Sequence, residues 1–334
     1  MKLSALGEFG LIKLIKEVTL PSYRSSPDAF KRLVIGIGDD AAAWEGRPFI
    51  QLATTDSLVE NIHFTFESST WEDLGHKSLA VNLSDIAAMG GQALYALVSL
   101  ACPGDVDVES VLDFYRGMTR LGSQHNTAIV GGNLAASAVV CTTVFVVGEA
   151  PSGKLLRRSS ALPGQLIAVT GTLGTAAAAV AALKSRQKGD SEVPPVLMQA
   201  LLRPHPRLIE AQVLVEEGVE CAIDISDGLV ADLGHICERS EVAARVYASQ
   251  IPVCPACQTV TPDSLDLALY GGEDYELLFT CDSSTLERIA TRIDCPVTVV
   301  GEIGEHAAEP EIAVIGLNGQ RITGGRTGWN HFGK

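Results

Sequence analysis

The sequence predicts an α/β or α+β protein of two domains. Strand-length apolar runs alternate with helix-length segments in both halves, which argues against an all-α or all-β fold. The 334 residues exceed one ordinary domain, at about 150 residues each. Hydrophobic residues make up 46% and charged residues 19%, a globular composition with ample apolar material for two cores.

The elements follow in order. Leu11 to Val18 has the spacing of a short amphipathic helix. Leu33 to Ile37 reads as a strand running into Gly38-Asp39-Asp40, and Phe49 to Thr55 as a strand ending at Asp56. Leu74 to Met89 has helical spacing, with Leu79, Leu83 and Ile86 on one face and Asn82 and Asp85 beside it. Leu94 to Ala101 reads as a buried strand, Val108 to Gly122 as a helix, Thr127 to Val130 as a strand stopped by Gly131-Gly132, and Val139 to Val147 as a further strand. Pro151-Ser152-Gly153-Lys154 has linker chemistry, so the domains are expected at 1–150 and 151–334. The second half begins with a strand, Gln165 to Val169. The turn Thr170-Gly171-Thr172-Leu173-Gly174 then opens an alanine-rich helix. That turn is either structural or a phosphate seat at a helix N-terminus; it is neither a Walker A loop nor G-x-G-x-x-G. Lys184 to Pro195 reads as a polar loop and Leu208 to Glu217 as a helix. Cys221 to Ile223 leads into Asp224, and Ser226 or Asp227 would cap a helix from Leu229 to Glu238.

The formal net charge of −15, with no basic run longer than Arg157-Arg158, argues against nucleic acid as a partner. No apolar stretch approaches the ~20 residues needed to span a bilayer, and Met1-Lys2-Leu3-Ser4 does not open a signal peptide. A cytoplasmic protein without membrane association is expected. The eight cysteines are scattered. Cys254 and Cys257 have C-x-x-C spacing without a second pair, so plain thiols are favoured over a zinc or redox site.

Short segments pairing acids or amides with glycine, serine or threonine recur along the chain: Gly38-Asp39-Asp40, Thr54-Thr55-Asp56, Asn82-Leu83-Ser84-Asp85, Gly131-Gly132-Asn133, Asp224-Ile225-Ser226-Asp227-Gly228 and Gly271-Gly272-Glu273-Asp274. Each has a plainer reading as a cap, Asx turn or solvated turn. Together they form a set of hard oxygen ligands suited to Mg²⁺ and the phosphates it carries. Gathered carboxylates repel, at roughly 4 kcal/mol per pair at 4 Å and an effective dielectric of 20, so such a cluster calls for cations. Arg158 could neutralise a phosphate or lie on the surface. His63 could touch a substrate or pack, and Arg203-Pro204-His205-Pro206-Arg207 is a stiff basic loop or a helix-entry turn.

The segments also resemble, in order and over nearly the whole chain, those of the thiamine-monophosphate kinase family. They are GEFGLI (7–12), GIGDDAA (36–42), TTDSLVENIHF (54–64), KSLAVNLSDIAAMG (77–90), VGGN (130–133), RSSALPGQLIAVTGTLG (158–174), LRPHPRL (202–208), AIDISDGLVADLGHI (222–236), YGGEDYELLF (270–279) and GWNHF (328–332). The glycine-aspartate turns are shared with the wider aminoimidazole ribonucleotide synthetase-like superfamily. The histidine segment, the SDGL run, GGEDYEL and the terminal aromatic segment are more specific to the kinase.

This resemblance implies the superfamily's two-domain fold: an N-terminal ATP/Mg-binding and dimerising domain with a mixed sheet, and a C-terminal α/β domain completing the active site. It implies a cytoplasmic homodimer that converts thiamine monophosphate and ATP into thiamine diphosphate and ADP with several Mg²⁺ ions. By matching position, Asp40, Thr54, Thr55, Asp56, Asp85, Asp224 and Asp227 are implied metal ligands. Gly132, Asn133, Arg158, Ser226 and Tyr115 are implied nucleotide contacts, and His63, Glu273 and Trp329 lie on the acceptor side. Asp85, Asp227 and Arg158 are the implied catalytic groups. The departure is Asn133, with Leu134 after it, where many members read Asp-Thr. An amide oxygen still coordinates Mg²⁺ but adds no charge, so one metal site would be weaker or absent. The alternatives are a superfamily relative acting on another acceptor, or a non-catalytic Mg-nucleotide-binding dimer.

Overall fold

A computed structural model describes residues 14–19, 31–35, 43–44, 50–151, 154–186, 192–307, 309 and 311–322. Asp39, Asp40, Trp329 and the whole of the GEFGLI, GIGDDAA and GWNHF segments lie outside the described residues. The chain divides into two compact units, residues 1–86 with 92–152, and residues 87–91 with 153–334.

In the first unit, residues 14–19 are helical, with the Thr19 hydroxyl bonded back to the Ile15 carbonyl. Short strands β1 (Leu33–Ile35) and β2 (Ala43–Trp44) pair with each other. The main sheet is built from β3 (Ile50–Val59), β4 (Gln92–Cys102), β5 (Ala128–Ala136) and β6 (Cys141–Ala150) in the order β3-β6-β4-β5. Only β4 and β5 run parallel; the other pairings are antiparallel. Helices α1 (Trp71–Ala88) and α2 (Val108–Gln124) complete the unit. Leu79, Leu83 and Ile86 of α1 are buried with Val98, Leu100, Val144 and Val146 of the strands, as the helical spacing and strand alternation require.

Two strands outrun their expected ends. β3 continues through Thr54-Thr55-Asp56 to Val59, with Asp56 opposite Val144 in register. A charged residue is tolerated there because β3 is an edge strand. β5 continues through Gly131-Gly132 to Ala136, in step with Leu97 to Cys102. At Gly132 a Cβ would stand 1.8 Å from the Val98 carbonyl oxygen. The glycine thus permits a close approach of strands rather than ending one.

The second unit holds a six-stranded sheet in the order β12-β9-β11-β7-β10-β8. Its strands are β7 (Leu166–Thr170), β8 (Cys221–Asp224), β9 (Val242–Tyr247), β10 (Leu277–Cys281), β11 (Val297–His306) and β12 (Ile312–Ile315). β12 and β9 are parallel and the rest antiparallel, so this sheet is also mixed. Around it lie α3 (Thr175–Arg186), α4 (Pro195–Leu202), α5 (Leu208–Glu216), α6 (Leu229–Ser240), α7 (Pro255–Val260), α8 (Ser264–Tyr270) and α9 (Ser283–Ala290). Ile167, Val169, Ile223, Leu229, Leu233, Ile236 and Leu278 form the centre of one core cluster. The alanine-rich α3 packs in another with Leu197, Leu201 and Cys257.

Candidate active site

In the first unit, alternation along β3 sets Thr54 and Asp56 on one face with the buried Leu52 and Leu58, and Thr55 on the other. Thr54 is half-buried, and its hydroxyl donates to Asp85 Oδ2 of α1 at 2.5 Å. Asp56 is exposed. Thr54, Asp56 and Asp85 therefore share a side of the sheet, and the Thr55 hydroxyl is not brought to them. Asn82, one helical turn before Asp85, is buried and donates its amide to the Ser78 carbonyl at 3.0 Å.

His63 belongs to the turn after β3, where its Nδ1 accepts the Val59 amide at 3.1 Å. Gly132 and Asn133 lie on edge strand β5, with Asn133 exposed and opposite Ser99. Tyr115 is buried in α2, edge-on to Phe114 with ring centroids 5.3 Å apart, and burial raises its phenol pKa.

In the second unit, two glycine-acid motifs fold into one construction. Asp224 is buried at the end of β8, opposite Leu277. The chain beyond it is zipped to residues 273–276. Ile225 N–H donates to the Glu276 carbonyl, Tyr275 N–H to the Ile225 carbonyl and Glu273 N–H to the Ser226 carbonyl, each at 2.8 Å. A Cβ on Gly272 would lie 2.3 Å from the Ser226 carbonyl oxygen, so glycine is required for this contact. Glu273 and Tyr275 both hold left-handed backbone, with φ of 69° and 51°. Such strain persists where the surroundings over-determine it, often at functional loops.

Neither Ser226 nor Asp227 caps α6. The N-cap is Gly228, and no side chain bonds there in the usual way. Instead Asp232, inside the helix, reaches back. Its Oδ2 accepts the amides of Ser226, Asp227 and Gly228 at 3.1, 3.1 and 3.0 Å. Burial pushes the Asp232 carboxyl up to about 7; the three amides oppose that rise and the Asp227 charge adds to it. Ser226 and Asp227 remain half-exposed.

The turn 170–174 is already supplied with a carboxyl acceptor. Asp274 accepts the amides of Gly174 and Thr175 at 2.8 and 3.2 Å, at the start of α3. This favours the structural reading of that turn over a phosphate seat. Burial raises the Asp274 carboxyl well above its ordinary range; amide bonds oppose the rise and the Glu276 charge adds to it. Next to it, Glu276 accepts the Thr170 hydroxyl at 2.6 Å and Arg207 Nε and Nη2 at 2.6 and 2.7 Å. Arg207 also donates to Glu210 at 3.0 Å. Arg207 thus takes the helix-entry role, tying the basic loop to the 273–276 segment.

Arg158 is exposed, and its carbonyl accepts the Ser240 hydroxyl at 2.9 Å. All eight cysteines are free; Cys257 is buried, and burial pushes its thiol up to about 12, as befits an inert core residue.

Among the described residues no group of three His, Cys, Asp or Glu side chains could hold a metal by itself. The described implied ligands are divided, with Thr54, Thr55, Asp56, Asp85 and Asn133 in the first unit and Asp224 and Asp227 in the second. The donor chemistry still fits Mg²⁺: all are hard oxygens, and a hydroxyl and a carboxylate already meet at 2.5 Å in the Thr54–Asp85 pair. Sequence reasoning missed Asp232, Asp274 and Glu276 as organisers of these loops. The signals for two of them were Asp232 four residues after Gly228 and an acid directly before the apolar run from Leu277.

Residues 38–150 match the AIR synthase related protein N-terminal domain, and residues 163–313 match its C-terminal domain. The thiamine-monophosphate kinase of Bacillus subtilis is 32% identical over 98% of this chain and 100% of its own. The crystal structure of the thiamine-monophosphate kinase from Stenotrophomonas maltophilia superposes with a TM-score of 0.79 at 36% identity, covering 92% of this chain and 96% of that one. AaThiL complexed with AMPPCP and TMP superposes with a TM-score of 0.73 at 34% identity over 99% of each chain. The mixed-sheet units, the ordered acid segments and near-complete alignment at these identities establish that this chain belongs to the thiamine-monophosphate kinase family.

Proposed function

We propose that this chain is a kinase that transfers the γ-phosphoryl group of ATP to thiamine monophosphate, yielding thiamine diphosphate and ADP. The observation that carries this reading is its 34% identity over 99% of the chain to a protein solved with AMPPCP and TMP. The acceptor is already an anionic phosphate, so the reaction needs alignment and charge neutralisation more than a base. Direct in-line transfer, without a phospho-enzyme, is the expected route.

The residue roles are proposals. Thr54, Asp56, Asp85, Asp224 and Asp227, with Asp40, would hold Mg²⁺, with Asn133 as an uncharged donor; the Thr55 hydroxyl, on the other face of β3, would not join them. When bound, Mg²⁺ neutralises polyphosphate oxygens and orients them. Arg158 would place a planar cation on the transferring phosphoryl group. Gly132, Asn133, Ser226 and Tyr115 would contact the nucleotide. His63, Glu273 and Trp329 would form the acceptor side, where an aromatic ring suits a cationic thiazolium.

The test is ADP release from ATP with thiamine monophosphate, with thiamine and with unrelated phosphomonoesters. Release only with thiamine monophosphate supports the kinase. Turnover with a different acceptor moves the chain to another activity of the superfamily, and nucleotide binding without turnover makes it a binding module.

The proposal extends to a homodimer working in the cytoplasm, where ATP is available. Thr55, Phe145 and Leu97 occupy one row across the first sheet, and Phe145 is 37% exposed at its middle. An exposed phenyl ring on a sheet face suits burial against a second copy. Phe145→Glu should convert a dimer into a monomer in sedimentation measurements. No helix among the described residues is long and apolar enough to cross a membrane.

A further inference from the structure

We infer that Asp232 is a positioning residue for phosphoryl transfer, holding the Ser226–Gly228 backbone so that the side chains of Ser226 and Asp227 face their ligands in a fixed geometry. The inference rests on the kinase reading and adds to it a residue outside the implied ligand set. Three consecutive amides converge on one oxygen, Asp232 Oδ2, at 3.0–3.1 Å. Successive N–H groups pointing into one concavity make a nest that ordinarily binds an external anion. Here a side chain of the same protein fills it, on a residue only 2% exposed.

The arrangement has a chemical consequence. With its amides engaged by Asp232, this loop has little backbone donor capacity left for a phosphate. What it offers outward are the half-exposed Ser226 hydroxyl and Asp227 carboxylate. The loop is thereby set to present oxygen ligands. The other side of the same loop is held by the Glu273 amide on the Ser226 carbonyl at 2.8 Å. Asp227 therefore sits between two backbone clamps, and Asp232 is the one made by a side chain.

Outer groups that orient metal ligands typically change metal affinity or activity by about 10–100-fold when removed. In Asp232→Leu, which keeps the side-chain shape and removes the acceptor, kcat should fall by about 10–100-fold and the Mg²⁺ concentration for half-maximal rate should rise, with the KM for thiamine monophosphate little changed; Asp232→Asn, whose amide oxygen can still accept, should recover part of the loss. Amide hydrogen exchange adds a readout independent of activity. In the metal-free wild type the amides of Ser226, Asp227 and Gly228 should be protected, and in Asp232→Leu they alone should exchange faster. A folded Asp232→Leu variant with unchanged kcat and Mg²⁺ requirement overturns the inference. So does faster exchange across the whole second unit, which would mark a general structural role. Should Asp232→Leu fail to fold, unprotected amides at these positions in the wild type would overturn it equally. A wild type without thiamine-monophosphate-dependent ADP release, but with these amides protected, would instead overturn the kinase reading.

Discussion

The Thr54 hydroxyl donates to Oδ2 of Asp85 at 2.5 Å, joining edge strand β3 to helix α1. The two residues are 31 positions apart, and each alone has a bland reading. Paired, they offer two hard oxygens in one place. Asp85→Asn should lower kcat by about 100-fold or more, since it removes charge that organises the transition state. Thr54→Val keeps the β-branched shape and removes only the hydroxyl, with an expected loss of about 10-fold. Steady-state kinetics on both variants, with folding checked by circular dichroism, decides the matter. Near-normal kcat in Asp85→Asn would falsify its catalytic assignment.

Divalent cations should be indispensable. Chelation should abolish ADP release, and added Mg²⁺ should restore it, because the carboxylates proposed as metal ligands would otherwise repel the polyphosphate. Full activity in excess chelator would remove the metal from the proposal.

Asn133 stands exposed on β5, where an added carboxylate meets no packing obstacle. If its amide oxygen is a metal ligand, Asn133→Asp should lower the Mg²⁺ concentration needed for half-maximal rate, because ligand charge raises affinity at hard-cation sites. A Mg²⁺ titration at fixed ATP reads this out. Weaker ATP binding in the variant would show that Asn133 serves the nucleotide through its amide.

Glu276 and Arg207 form a bidentate pair with side chains only 11% and 14% exposed. Burial acts to lower the Arg207 pKa, and the hydrogen bonds and charge of Glu276 overcome it and raise it. Glu276→Gln should destabilise the protein by roughly 3 kcal/mol in urea unfolding, mostly from leaving a buried guanidinium with Glu210 as its one remaining described counter-charge. The double variant Glu276→Leu/Arg207→Met should recover part of that loss.

Asp282 caps α9, its Oδ1 accepting the Thr285 amide at 2.8 Å. That amide bond, with the Ser284 hydroxyl, holds its carboxyl below the usual value of 3.8. A depressed folded pKa adds stability above the unfolded pKa and loses it as pH falls through the folded one. Asp282→Ala should therefore melt at a lower temperature than wild type at pH 7. The gap should narrow as pH falls below about 4 and on through the lower folded pKa, beneath which both states bind the proton. A constant gap across that range would show that the cap acts without its charge.

Much of the architecture was legible along the chain. The helix at 71–88 was visible because Leu79, Leu83 and Ile86 repeat with helical spacing. Strand ends were less legible. Asp56 and Gly131-Gly132 carry end-of-strand chemistry, yet pairing with β6 and β4 carries both strands onward. Cross-strand partners far away in sequence decide such ends.

The sequence by itself determined the family, the two-unit mixed α/β organisation and the order of the oxygen-bearing segments, because local patterning and motif chemistry are written in neighbouring residues. Tertiary structure alone decided what each segment does with its backbone. It gave the amides of 226–228 to Asp232 and those of 174–175 to Asp274, joined Thr54 to Asp85, and turned Arg207 inward to Glu276. The physical reason is that buried donors must find acceptors, and which acceptor is within reach depends on loops brought together by the fold, not on their spacing in the chain.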